Sequence, residues 1–256
     1  MALEFRNVVK RFATNGGAEL TAIDGLSFTV NEGEFVSVVG PSGCGKSTLL
    51  SMTAGLYQPT EGQVLVSGKP VVGPNEHVGF MLQKDLLLPW RNILSNIEFG
   101  LESRGVDKAE RRRRAEAELK HCHLEGFGAH YPYQLSGGMR QRAALARTLA
   151  IDPEIILLDE PFSALDAQTK LLLQNSFAKL IAEAGKTTLL ITHELAESVL
   201  MSDRILVMSE RPGTIVAEIK VDLPHRDEPL KRRMMPEVPE LAAQIFHHLK
   251  LEEKVI

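Results

Sequence analysis

Two stretches of this chain combine residue types and spacing suited to handling a triphosphate. Gly40-Pro41-Ser42-Gly43-Cys44-Gly45-Lys46-Ser47-Thr48 fits the pattern G-x-x-x-x-G-K-[ST], directly after an apolar run and before helix-compatible sequence. Its glycines let backbone N–H groups curl around phosphate oxygens, and the following helix turns the positive end of its dipole toward the same anion. Lys46 is expected to reach the β- and γ-phosphates, and the Ser47 hydroxyl to ligate Mg²⁺. All nine residues, Gly40 to Thr48, are therefore candidates for nucleotide binding. The second stretch, Ile155-Ile156-Leu157-Leu158-Asp159-Glu160, is a buried strand ending in two carboxylates. Open α/β sheets bind ligands at that edge. Neighbours on a strand point to opposite sides, so the two acids suit different tasks: Asp159 the Mg²⁺ shell, Glu160 the polarisation of an attacking water.

The elements that must hold these residues are visible as changes of period. Residues 20–30 lean toward strand, 31–34 read as a turn, and 35–39 form a continuous apolar strand before the glycine-rich loop. Residues 46–56 are helix-compatible, and 63–66 and 78–82 are short strands. From 93 to about 151 the spacing is helical and rich in charge. Within it, residues 107–124 set Arg111–Arg114 beside Glu110, Glu116 and Glu118, which predicts a solvated helix with (i, i+4) pairs rather than a basic patch. Apolar runs at 155–158, 188–192 and 205–208 alternate with helical segments, the pattern of a parallel sheet covered on both faces. Beyond Pro224, prolines interrupt a charged segment, and 241–251 reads as a closing amphipathic helix.

Composition narrows the setting. A chain of 256 residues buries a sizeable core without staples. Its 29 basic and 33 acidic residues give a net charge of −4, so there is no electrostatic reason to expect nucleic acid as a partner. Cys44 and Cys122 show no zinc spacing, which suggests a reducing compartment. Cys44, near a helix N-terminus, is expected to favour its thiolate and to react with alkylating reagents unless nucleotide protects it. No signal-peptide pattern and no apolar run of about 18 residues is present, so a partner is expected to hold the protein at any membrane it serves.

Leu135-Ser136-Gly137-Gly138-Met139-Arg140-Gln141-Arg142 lies between the two chemical stretches. With it, the chain resembles the ABC ATPase family over nearly its whole length. The family signature is LSGGQ, and here its fifth residue is Met139. Ser136, Gly137 and Gly138 open a helix whose N–H groups and dipole suit an anion. In the family, that anion is the γ-phosphate held by the other subunit. Met139 removes one polar contact but leaves the glycine-based site.

The resemblance also matches Gln83 to the Q-loop, which touches Mg²⁺ and senses the membrane partner. Ser163-Ala164-Leu165-Asp166 matches the D-loop, which crosses the dimer interface and adds Asp166 to the nucleotide site. His193 matches the switch histidine on the γ-phosphate. Phe12 stands where the family stacks an aromatic on adenine; a core phenylalanine is the alternative. The resemblance thus implies Lys46, Glu160 and His193 as catalytic residues, Ser47, Gln83 and Asp159 as metal ligands, and ATP and Mg²⁺ as cofactors. It implies an α/β fold: a P-loop NTPase with a RecA-like parallel sheet core, an antiparallel β subdomain and an inserted helical subdomain at about 93–151. Residues 1–224 would form the ATPase domain and 225–256 a short C-terminal tail.

Only about 50 residues separate Gln83 from Leu135, with no heptad array or CxxC pair. DNA-acting family members insert such modules, ribosome-acting ones carry two nucleotide domains, and exporters fuse the domain to membrane helices. A stand-alone importer subunit fits best, with an exporter or a machine acting on DNA or ribosomes as the alternative. Met81-Leu82-Gln83-Lys84-Asp85-Leu86-Leu87-Leu88-Pro89-Trp90, Asn96, Arg211-Pro212-Gly213 and Val221-Asp222-Leu223-Pro224 are similar to the ATPases of nitrate, sulfonate and taurine uptake. Trp90 has two readings, packing beside the helical segment or lining a groove for a helix of the membrane subunit. The partners implied are integral membrane permease subunits, a second copy of the chain as a homodimer, and indirectly a solute-binding protein. The place implied is the cytoplasmic face of the membrane.

Overall fold

The computed structural model describes residues 1–13, 17–163 and 165–249. β1 (Leu3–Ala13) and β2 (Glu19–Val30) pair antiparallel and turn Leu3, Phe5, Ile23 and Leu26 inward. Phe5 and Phe28 face each other in register, their rings stacked at 4.6 Å. β3 (Phe35–Val39) is buried along its whole length and leads through the glycine-rich loop into α1 (Lys46–Thr53). β4 (Glu61–Val66) and β5 (Lys69–Pro70) complete an antiparallel sheet of order β2-β1-β4-β5. After β6 (Val78–Met81) come α2 (Ile93–Ser103), α3 (Lys108–His121), a 3-10 turn at Pro132–Gln134 and α4 (Gly137–Ala150). β7 (Ile155–Asp159), α5 (Ala167–Glu183), β8 (Thr187–Ile191), α6 (Leu195–Met201) and β9 (Arg204–Met208) then alternate. β10 (Ile215–Lys220), α7 (Pro229–Arg232) and α8 (Glu237–His248) follow.

The second sheet runs β10-β9-β3-β8-β7-β6 and is parallel except for β10. Its strands are apolar on both faces because each face covers a different core. Val36, Val38, Leu157 and Leu189 join the core under α1 and the antiparallel sheet. Phe35, Val39, Leu158 and Leu190 join the core under α2 to α6 and α8. Side chains alternate across a strand, so one apolar run supplies both. The chain is an α/β P-loop fold of a parallel sheet, an antiparallel sheet and a helical layer.

α3 is the solvated helix the charge spacing predicts, with Arg112–Glu116 and Arg114–Glu110 ion pairs four residues apart and Ala115 and Leu119 its buried residues. α1 stops at Thr53 rather than 56 because Gly55 takes φ 77°. α8 begins at Glu237 rather than 241. Pro239 falls in its first turn, where a missing N–H costs little. Residues 250 and 251, the expected end of that helix, lie outside the described residues.

The tail is tied down. Val238 and Ile245 of α8 belong to the core under the helices. Arg232 is 1% exposed and donates to the carbonyls of Val199 at 3.0 Å, Leu200 at 3.3 Å, Ser202 at 2.8 Å and Pro224 at 2.9 Å, and to that of Leu223. Arg232→Met leaves these carbonyls without their donor and is expected to cost about 3 kcal/mol of stability. Equilibrium urea unfolding should show this as a lower midpoint at unchanged slope; an unshifted midpoint would mean the tail is not held by this residue.

Candidate nucleotide-binding site

Parallel pairing in the order β3-β8-β7-β6 sets four strand ends side by side. Residues 40–48, His193, Asp159 with Glu160, and Gln83 lie at or just beyond those ends respectively. Gly45 caps α1 at φ 107°, and a Cβ there would stand 3.0 Å from Ile23 Cγ1 and 3.1 Å from the Ala22 carbonyl oxygen. Only glycine passes this point without strain. Lys46 is buried, and its Nζ donates to the carbonyls of Gly40 at 2.7 Å and Pro41 at 2.8 Å. The ammonium is therefore folded across the mouth of its own loop. A cleft of about 310 Å³ opens beside it, with Ser42, Gly43, Gly45, Ser47 and Thr48 along one wall. Phe12, Leu20 and Ala22 form an apolar side, and Glu160 and Arg211 complete the lining.

Phe12 is half-buried in that lining rather than sunk in the core. Its ring meets Tyr57 edge-on at 5.6 Å, and the Lys10 ammonium lies 5.0 Å from its centre.

The two carboxylates separate as the strand geometry predicts. Ser47 Oγ donates to Asp159 Oδ1 at 3.3 Å, and burial pushes the Asp159 pKa up. A hydroxyl and one carboxylate are the hard oxygen donors that suit Mg²⁺, which fills its remaining positions with phosphate oxygens and water. Glu160 takes φ 47°, a conformation that a side chain adopts at some cost, and its Oε2 lies 3.1 Å from His193 Nδ1. Gln83 Nε2 stands 3.5 Å from the same oxygen and donates to Ser163 Oγ at 3.2 Å. Ser163 Oγ in turn donates to the Glu160 carbonyl at 3.0 Å. Gln83 thus meets Glu160 and Ser163 directly.

None of Ser136, Gly137, Gly138 and Asp166 lines the cleft. Ser136 caps α4 by accepting from Met139 N at 3.3 Å. Asp166 caps α5 by accepting from Thr169 N at 3.0 Å, a bond that holds its carboxyl below the usual range. A Cβ at Gly138 would come 2.9 Å from Thr169 Cγ2, so the two helix starts pack directly together. Met139 turns toward the apolar core. Ala164 of the 163–166 motif lies outside the described residues.

Two lateral links hold these loops. Arg140 Nε donates to Asp85 Oδ2 at 3.0 Å, and Arg147 donates to the Asp85 and Leu86 carbonyls at 2.7 Å each, tying the segment after Gln83 to α4. Asn96, fully buried, accepts from Leu88 N at 2.7 Å and donates to the Leu88 and Arg91 carbonyls at 3.1 and 3.0 Å. Trp90 is 72% exposed on that clasped loop, so the packing reading does not hold.

One expectation is overturned. Cys44 is 1% exposed and burial raises its thiol pKa, because the side chain turns into the core under α1 and the antiparallel sheet. Cys122 is likewise buried, its pKa pushed up to about 12. Leu20, Ala22, Ser163 and Arg211 were not among the expected site residues. Ser163 and Arg211 sit in motifs visible in the sequence, whereas Leu20 and Ala22 carry no chemical signal.

A family profile described as ABC transporter matches residues 23–163. An uncharacterized ABC transporter ATP-binding protein of Methanocaldococcus jannaschii is 51% identical over 221 residues, 86% of this chain and 82% of that protein. A taurine import ATP-binding protein, TauB, of Burkholderia pseudomallei is 46% identical over 215 residues, 84% of this chain and 82% of that protein. The fold is similar to a solved dimeric ATP-binding cassette in a post-hydrolysis state bound to ADP and Pi, with a TM-score of 0.75 and 35% identity. That match covers 86% of this chain and 99% of the other.

Both cysteines of the folded protein are expected to resist a small alkylating reagent, and to react once denaturant is added. Thiol titration in the two conditions checks this; fast native labelling of Cys44 that ATP prevents would restore the reactive-thiolate reading.

Proposed function

Because the chain belongs to the ABC transporter family and is an ATPase of that family, we propose that it powers an importer. In this reading it couples MgATP hydrolysis, in a nucleotide-sandwich dimer of two copies, to uptake of a small solute of the nitrate, sulfonate or taurine class. The observation that carries the dimer is the split of the phosphate-binding groups. The cradle and the Glu160–His193 pair lie at one strand edge, and the Ser136–Gly138 helix start does not line the cleft there, so a single chain leaves the cleft without its signature groups. A second copy, turned so that its signature helix meets the first copy's cradle, completes the site.

Lys46 and the loop N–H groups bind the β- and γ-phosphates, and Phe12 with Leu20 and Ala22 offers the adenine an apolar wall. Ser47 and Asp159 hold Mg²⁺, which supplies positive charge to the phosphate oxygens. Glu160 orients and polarises the attacking water, and His193 beside it faces the γ-phosphate. Gln83 links this pair to the segment after β6, so a shift of that segment reaches the carboxylate.

Among the described residues, no helix is long and apolar enough to cross a membrane. Permease subunits would therefore hold the chain at the cytoplasmic face. The exposed Leu82, Leu86 and Trp90, at 39%, 52% and 72%, form the surface for a permease helix. Likeness to a taurine import protein supports uptake as the direction and a small solute of that class as the cargo.

Glu160→Gln is expected to lower ATP turnover about 100-fold or more while retaining ATP binding, so that ATP-bound dimers accumulate. Turnover assays with light scattering check this, and unchanged turnover sinks the assignment. In lipid, permease subunits should stimulate the wild-type rate and not that of the variant. A response to DNA or ribosomes instead would overturn the importer reading and keep the ATPase.

A further inference from the structure

The loop between β9 and β10 brings to the cleft a cation that the phosphate-binding pattern does not include. Arg211 is exposed on that loop, yet it lines the same cleft as Lys46, Ser47 and Phe12. Its Nε and Nη2 both donate to the Gly43 carbonyl, at 3.0 and 2.8 Å. A guanidinium has five N–H donors and keeps its charge throughout the pH range of proteins. Three N–H bonds are therefore left without a protein acceptor among the described residues.

The loop is built to keep the side chain there. Gly213 N donates to the Ala22 carbonyl at 2.9 Å and Asp24 N to the Gly213 carbonyl at 3.2 Å, stitching the loop to β2. Ser209 Oγ donates to the carbonyls of Glu210 and Pro212 at 2.8 and 3.1 Å and accepts from Thr214 N at 3.0 Å. A Cβ on Gly213 would fall 2.1 Å from the Cys44 carbonyl oxygen, so this backbone lies directly against the phosphate cradle. A donor held in place before binding loses less entropy when a ligand arrives.

A staple on Gly43 is the plainer role for such a residue. That carbonyl is neutral, however, and a neutral amide would satisfy it as well as a guanidinium. A permanent charge at the rim of a cleft shaped for a polyanion adds attraction that a staple does not.

We propose that Arg211 is a second phosphate-binding cation of the nucleotide site, engaging the polyphosphate of ATP and ADP beside Lys46. The β9–β10 loop thereby helps set nucleotide affinity. The inference rests on the reading of the cleft as the ATP site. Its contact is made with product as well as substrate, so it acts on binding of both rather than on the chemical step.

The test is equilibrium titration of the full chain with ATP, ADP and adenosine in the presence of Mg²⁺. The proteins compared are the wild type, Arg211→Gln, Arg211→Lys and Lys46→Ala. Glutamine keeps an amide donor for Gly43 and loses the charge; lysine keeps the charge. Arg211→Gln should weaken ATP and ADP about tenfold and leave adenosine unchanged, Arg211→Lys should recover most of the loss, and the gap should narrow as salt rises. ATP and ADP bound by Arg211→Gln as tightly as by the wild type would overturn the proposal. So would a loss that extends to adenosine, or one shared by the lysine variant and indifferent to salt. Lys46→Ala separates this from the underlying reading. If that variant loses ATP while Arg211→Gln does not, only the role of Arg211 falls; if it binds as the wild type does, the ATP site itself falls.

Discussion

Parallel pairing of β7 with β8 is the constraint on which the site depends. The two strands run in register from Ile155–Thr187 to Asp159–Ile191, and Glu160 N extends the ladder by donating to the Ile191 carbonyl at 2.9 Å. That extra bond carries Glu160 one step past the strand and leaves its carboxylate beside His193. On the other flank of β8, β3 pairs in the same direction and delivers the glycine-rich loop to the same edge. A slip of one residue in either ladder would move each side chain of the strand to the opposite face and into the wrong core. Burial of both faces of the sheet therefore fixes the chemistry at its edge.

The loops at that edge are also tied to helices, so their positions are not independent. The segment after Gln83 is held to α4 by Arg140 and Arg147, and α4 begins at the signature. Asp166 caps α5, and α6 begins at Leu195, just past His193. Lys170 of α5 joins Glu194 and, at 3.1 Å, Glu197 of α6, while Gln174 donates to Glu197 at 3.2 Å. Glu197 is 3% exposed, and burial raises its pKa. Removing one member of such a buried pair leaves the other charge uncompensated. The starts of α5 and α6 are thus braced against each other.

Much of this was legible in the sequence because it follows from local rules. The glycine pattern, the apolar strand ending in Asp159-Glu160, and the charge pairs of α3 each need only neighbouring residues to interpret. What was not legible depends on distant packing. The direction of the Cys44 side chain is set by the core it enters, so helix-terminus chemistry was a poor guide to its reactivity. β1 and β10 were not read from the sequence: β1 alternates irregularly and β10 sits at a sheet edge, so their pairing partners define them. Gln83 was placed on the metal by resemblance; its position with Glu160 and Ser163 depends on loop geometry that no spacing rule encodes. The exposure of Trp90 likewise depends on Asn96, which clasps its loop from within the next helix.

The separation of the cradle from the signature surface on a single chain has a kinetic consequence. If the working site exists only where two chains meet, the hydrolysis rate of dilute protein rises with the square of its concentration, and becomes linear once most chains are paired. Subunits newly made and not yet assembled would then consume almost no fuel. Permeases that gather two of them in one place would act as a switch through local crowding alone, before any change of shape is transmitted.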